Sequence, residues 1–146
     1  MKYFNKYYND YNVNKNFNEL GPQIGLKFKN NPSIENMSKL LVIISRGFEI
    51  SMNFTPYFIQ LTVGSFLSHY IKNNNRGRIT QIKTGEGKNM IIAILALANA
   101  LMGYFVDIIT STNYLAEKEQ IKFSKLFLLF GVSSSNIIKE NPLNED

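Results

Sequence analysis

Residues 84–88 read Thr-Gly-Glu-Gly-Lys, and Asn89 follows them. A polyphosphate needs backbone N–H donors that it can approach closely, a positive helix terminus and a mobile cation. Gly85 and Gly87, the helix expected to start after them, and Lys88 supply these, while Lys83, Thr84, Glu86 and Asn89 complete the candidate loop. The longer pattern GxxxxGK[ST] is not met, because Ile82 stands at its first Gly and Asn89 at its Ser or Thr. The competing reading is a glycine turn joining strand to helix with a solvated lysine. Little other chemistry is available. Zero cysteines exclude a thiol nucleophile, a disulfide scaffold and a zinc ribbon, and a single histidine, His69, excludes any site that needs two imidazoles. No catalytic residue and no metal ligand is assigned.

The elements that would position this loop follow from periodicity. Ile34, Met37, Leu41, Ile44 and Phe48 recur at steps of three and four and predict a core helix from Ser33 to about Ile50. Thr55 and Pro56 read as an N-cap and first helical position, opening a helix with Ile59, Val63, Phe66 and Tyr70 on one side. Residues 73–77, Asn-Asn-Asn-Arg-Gly, end it. Residues 78–83 alternate as a short strand, and the glycine loop comes at its end. A helix buried nearly all round is expected over residues 90–102, stopped at Gly103. Residues 105–110 predict a second strand, and a further helix from about Asn113 to Phe130 carries Phe123, Leu126, Phe127 and Phe130. Gly131 stops it, and residues 132–138 predict a weak third strand. That alternation implies a mostly parallel sheet with right-handed crossovers and a ligand site at the carboxyl ends of its strands.

The length of 146 residues, with 45% hydrophobic and 18% charged residues, suits one ordinary domain. Sixteen Lys plus Arg against eleven Asp plus Glu give a formal +5, which suits a phosphate-bearing ligand and equally a basic soluble surface. Residues 1–18 mix six Asn with six Tyr or Phe without a helical or strand period, so a loosely ordered or peripheral arm is expected. The first twenty residues lack the apolar run of a secretory signal. A cytoplasmic location is the expectation.

Three stretches together resemble one family. Residues 77–89 (GRITQIKTGEGKN), 106–119 (VDIITSTNYLAEKE) and 127–137 (FLLFGVSSSNI) are similar to the start of the DEAD-like motor domain of SecA preprotein translocase ATPases. The likeness is to the SecA-like proteins of unicellular eukaryotes in particular, and it covers residues 54–138. Upstream, residues 55–61 (TPYFIQL) resemble the family's glutamine motif, which implies that Gln60 reads the adenine; a Gln amide offers the donor and acceptor that match adenine N6 and N7. Tyr57 or Phe58 is then placed to pack on the base or in the core. Residues 111–119 match the motif beside the transported polymer, with Thr112 and Asn113 replacing the usual Asn and Asp; a plain N-capped helix start fits them equally.

The resemblance implies a three-layer α/β P-loop (RecA-like) motor fold, incomplete, with helices on both faces of a short sheet. It divides the chain into an Asn/Tyr-rich arm (1–32), a partial nucleotide-binding domain (33–138) and a polar tail (139–146). The implied ligand is ATP or ADP, with Mg²⁺ held poorly, since Asn89 replaces the hydroxyl that ligates it. Hydrolysis also needs an apolar strand ending in Asp and Glu, and none follows Gly131 within these residues. The implied partners are a polypeptide or the translocation machinery, with a location that extends to the membrane periphery. Two other readings stand beside this one. A nucleic-acid-binding helicase-like fragment fits the same loop and the +5 charge, and a non-catalytic interaction module needs no turnover. A membrane span over residues 90–109 is disfavoured, because it crosses Gly103 and Asp107.

Overall fold

The computed structural model of the chain describes residues 2–8, 16–73 and 79–137. They form α1 (Lys2–Tyr8), α2 (Phe17–Asn30), α3 (Ile34–Met52), α4 (Phe58–Asn73), α5 (Lys88–Leu101) and α6 (Asn113–Leu129). No strand occurs among the described residues, so the expected three-layer α/β sheet is overturned. The segments 79–83, 105–110 and 132–137 carry no helix and no ladder. A strand forms when a neighbouring chain takes its N–H and C=O groups and one face is buried. Here neither condition holds, and Ile79, Phe105, Ile109 and Ile137 are each at least 95% exposed. Residues 78 and 138, the outer ends of two expected strands, lie outside the described residues.

The core is built on α3. Leu40, Leu41, Val42, Ile43 and Ile44 are five consecutive buried apolar residues, which is what a helix enclosed on every side requires. The other five helices all pack against it. The expected periodic face holds at Leu41, Ile44 and Phe48, but Ile34 at the helix start is exposed. Ser33 accepts a hydrogen bond from the Asn36 N–H at 3.1 Å and caps α3. Asn53 ends it in the left-handed region at φ 52°. The predicted stripe of α6 is buried at Phe123, Leu126, Phe127 and Phe130.

Two expectations failed where small residues hide the helical period. The arm was expected to span residues 1–32, yet Phe17, Ile24 and Phe28 of α2 lie in the core. Gly21 and Gly25 complete that stripe, and they allow α2 to lie directly on its neighbours. A Cβ on Gly25 would fall 2.2 Å from the Leu101 carbonyl oxygen. On α4 the expected face is the outer one, since Ile59 and Phe66 are exposed while Gln60, Leu61, Gly64 and Ser65 are buried. A Cβ on Gly64 would meet Ile94 Cγ2 at 2.7 Å, so the inward face of α4 is set by close approach to α5. The side chain of Tyr70 and residues 74–77 lie outside the described residues.

α1 is fastened to α3 by polar groups. The Tyr7 hydroxyl and the Lys39 ammonium each donate to Glu35 Oε1 at 2.7 Å. Lys39 first and Tyr7 second hold the Glu35 carboxyl below the usual glutamate range. A lowered carboxyl adds stability above its unfolded value and loses it as pH falls through its folded value; at this exposed position solvent keeps the effect small. Tyr8 and Thr55 both donate to Glu49 Oε1, and Arg46 Nη1 meets Glu49 Oε2 at 2.5 Å. Among the described residues no helix is long and apolar enough to cross a membrane. α5 ends at Leu101, well short of residue 109.

The close approach of α2 to the end of α5 is open to test. Gly25→Ala forces Cβ into backbone and should destabilise the chain by about 1–3 kcal/mol, read as a lower denaturation midpoint in urea. An unchanged midpoint would show that the two helices separate freely.

Candidate functional site

The loop at residues 84–89 is held from one side by α4. The Tyr57 N–H donates to Gln60 Oε1 at 3.0 Å, so the third residue of α4 reaches back over the helix start and satisfies an otherwise orphan donor. This replaces the expected cap, for α4 begins at Phe58 and the Thr55 hydroxyl goes to Glu49 instead. The same Gln60 amide donates through Nε2 to the Glu86 carbonyl at 3.2 Å. Gln60 is buried, at 5% exposure, although as a polar residue in an apolar helix it reads like a surface position.

The loop itself turns on two glycines. The Glu86 N–H donates to the Lys83 carbonyl at 3.4 Å, closing a turn over residues 83–86. Gly85 has φ 91° and Gly87 φ 73°, both in the region that favours glycine. Around Gly85 the space is open, with no atom within 4 Å of a built Cβ. Gly87 is doubly constrained, since a Cβ there would also lie 2.4 Å from Gln60 Nε2. It is the N-cap residue of α5 and brings no side-chain hydrogen bond to it. Thr112, by contrast, accepts from the Leu115 N–H at 3.2 Å and caps α6, as Ser33 caps α3.

Around this turn Lys83, Thr84, Glu86, Lys88 and Asn89 are all exposed, and Lys88 opens α5 with its ammonium 3.4 Å from the Ile82 carbonyl oxygen. A helix leaves its first four N–H groups without internal partners, and the dipole adds about half a positive charge at that end. The arrangement presents amides, a helix terminus and a cation to solvent together.

One participant was not expected from the sequence. Glu119 of α6 accepts from Asn89 Nδ2 at 2.7 Å and joins the start of α5 to α6. Its other oxygen, Oε2, is buried without a hydrogen-bond partner. Nothing in the local pattern AEKEQ separates Glu119 from Glu117; only the packing of α6 beside α5 does. Tyr57, three residues before Gln60, is 69% exposed and outside the core, and Phe58 is 43% exposed. Thr112 takes the capping role. The side chain of His69 lies outside the described residues, and no group of three or more His, Cys, Asp or Glu able to hold a metal occurs among the described ones.

The SecA DEAD-like domain family matches residues 4–145, nearly the whole chain. This chain belongs to that family. It is 31% identical over 130 residues to the protein translocase subunit SecA of Clostridium tetani, covering 82% of this chain and 15% of that protein. The SecA of Cytophaga hutchinsonii is 30% identical over 103 residues, covering 70% of this chain and 9% of that protein. For the SecA of Clostridium novyi the figures are 32% over 84 residues, with 58% and 9% covered. The chain thus spans between 9% and 15% of the length of these SecA relatives. No solved structure matches it.

If Gln60 ties α4 to the loop, Gln60→Ala leaves the Tyr57 N–H and the Glu86 carbonyl without their partner. A loss of about 1–3 kcal/mol is expected, together with faster hydrogen exchange at the amides of Gly87 and Lys88. Unchanged exchange there would show that the loop holds its shape without the glutamine.

Proposed function

We propose that residues 84–89 bind the phosphates of ATP or ADP, and that the chain is the nucleotide-binding N-terminal part of a SecA-like protein translocation motor. The observation that carries this is the turn itself. Two left-handed glycines deliver an exposed chain to a helix N-terminus without a side-chain cap, and Lys88 is its first residue. Amides of Gly85, Gly87 and Lys88 take the phosphate oxygens, the terminus of α5 adds its field, and the Lys88 ammonium gives a charge-assisted bond. Lys83, Thr84 and Glu86 shape the turn.

Gln60 spends one lone pair on Tyr57 and one N–H on Glu86, which leaves a lone pair and an N–H for adenine. Exposed Tyr57 offers a ring for the base. The amide therefore has two tasks, holding the loop and reading the nucleotide.

Magnesium has a partial fit. The free Oε2 of Glu119 and the Asn89 amide oxygen are the oxygens at hand, and both suit a hard cation. Bound there, the cation would neutralise phosphate charge beside a carboxylate that otherwise repels it. Turnover needs a carboxylate aligned on an attacking water; Glu86 is exposed in the loop and Glu119 is tied to Asn89, so we expect binding without hydrolysis. By its relatives' role the partners are a polypeptide or the translocation machinery, with work in the cytoplasm or at the membrane periphery.

Calorimetric titration tests the reading. Wild type should bind ADP or ATP weakly; Lys88→Ala should lose tenfold or more in affinity, from about 1.5–3 kcal/mol of charge-assisted hydrogen bonding. Asn89→Thr should strengthen binding only with Mg²⁺ present. Phosphate release should equal the buffer control. Absence of binding up to millimolar nucleotide in a folded chain would reduce the loop to a structural turn.

A further inference from the structure

The Glu119 carboxylate forms no ion pair among the described residues, where the pairs join Lys39 to Glu35 and Arg46 to Glu49. Its Oε1 accepts from Asn89 Nδ2 at 2.7 Å, and its Oε2 is buried without a hydrogen-bond partner. This is unlike Glu49, whose two oxygens are shared among Arg46, Tyr8 and Thr55. A neutral amide satisfies a carboxylate oxygen but cancels none of its charge. Withdrawn from water, that charge acts on its surroundings more strongly than one in bulk solvent.

Its position relative to the loop gives that charge a consequence. Asn89 follows Lys88 in the first turn of α5, and its side chain bridges to Glu119 of α6. In phosphate loops the backbone amides of the turn cradle the inner phosphates, the lysine reaches the outer ones, and the residue after the lysine stands beside the cation that joins them. Gly85 and Gly87 belong to the first part and Asn89 to the last. Glu119, bonded to Asn89, lies on the side of the loop where a third phosphate would stand.

We infer that Glu119 is a specificity residue, which by its charge disfavours a third phosphate, so that without Mg²⁺ the loop prefers a nucleoside diphosphate to a triphosphate. This rests on the reading of residues 84–89 as a phosphate site. Lys88 and the terminus of α5 favour both ligands. The repulsion from Glu119 falls mainly on the ligand that carries the extra phosphate, because like charges repel most at short range. A magnesium ion held between the outer phosphates offsets their charge, so the preference shrinks when the cation is present. Glu117 provides the comparison: it is exposed, and two residues along a helix put it on the other side of α6.

Calorimetric titration of the full chain with ADP and with ATP, first in EDTA and then in Mg²⁺, measures the ratio of the two affinities. In EDTA the wild type should bind ADP about three- to tenfold more tightly than ATP. Glu119→Gln keeps an acceptor for Asn89 and removes the charge, so it should raise the affinity for ATP more than that for ADP and bring the ratio close to one. Glu119→Asp keeps the charge and should keep the preference. Glu117→Gln makes the same change in net charge and should leave the ratio as it is. Mg²⁺ should reduce the ratio in the wild type and have less effect on it in Glu119→Gln. Failure of either nucleotide to bind a folded chain would overturn the phosphate site and this inference with it. Binding of both with a wild-type ratio of one or below, a ratio unmoved by Glu119→Gln, or an equal shift in Glu117→Gln would overturn the role of Glu119 and leave the phosphate site standing.

Discussion

The geometry of the candidate site depends on one buried side-chain amide. Gln60 accepts from the Tyr57 N–H and donates to the Glu86 carbonyl, so a single planar group both starts α4 and fixes the turn before α5. Buried polar groups are costly unless paired, and pairing this one requires both elements to be in place. The constraint spreads outward. Gly87 must lack a Cβ because Gln60 Nε2 occupies that space, and Gly64, one helical turn beyond Gln60, must lack one because Ile94 presses against α4. A loop that is almost wholly exposed is thereby given one shape by contacts beneath it.

The remainder of the molecule makes that contact possible. α3 is enclosed by the other helices, and its apolar centre supplies most of the burial. α2 and α6 close on it through glycine and phenylalanine: Gly21, Gly25 and Gly47 admit the Phe130 ring and the end of α5 where any side chain would clash. Dense packing of this kind transmits small changes in shape. The Asn89 to Glu119 bond gives the loop a second tie, this time to α6.

Much of this was legible in the sequence, and the parts that were not have definite causes. Gly103 and Gly131 end their helices in left-handed conformations, as their positions after apolar stripes indicate. The TGEGK turn follows directly from residues that tolerate positive φ. The α2 stripe was hidden because Gly21 and Gly25 stand where a periodic apolar residue is sought, and the buried face of α4 was hidden for the same reason at Gly64. The strands failed differently. The β-branched content of residues 79–83 and 105–110 is real, but it records only a capacity to pair, and no neighbouring strand takes their hydrogen bonds among the described residues. Gln60 entered through resemblance to the family; that its amide holds the loop could come only from coordinates. Glu119 has no sequence signal at all.

Whether the turn over residues 84–89, shaped by Gln60, takes an anion decides the proposed function. The most direct measurement is a two-dimensional NMR titration of the isotope-labelled chain with ADP and, separately, inorganic pyrophosphate. Both ligands should move the backbone amides of Gly85, Gly87 and Lys88, and ADP alone should also move the Gln60 side-chain NH₂. A folded chain whose shifts stay unmoved, or move only at residues distant from this turn, would rule out an anion site here.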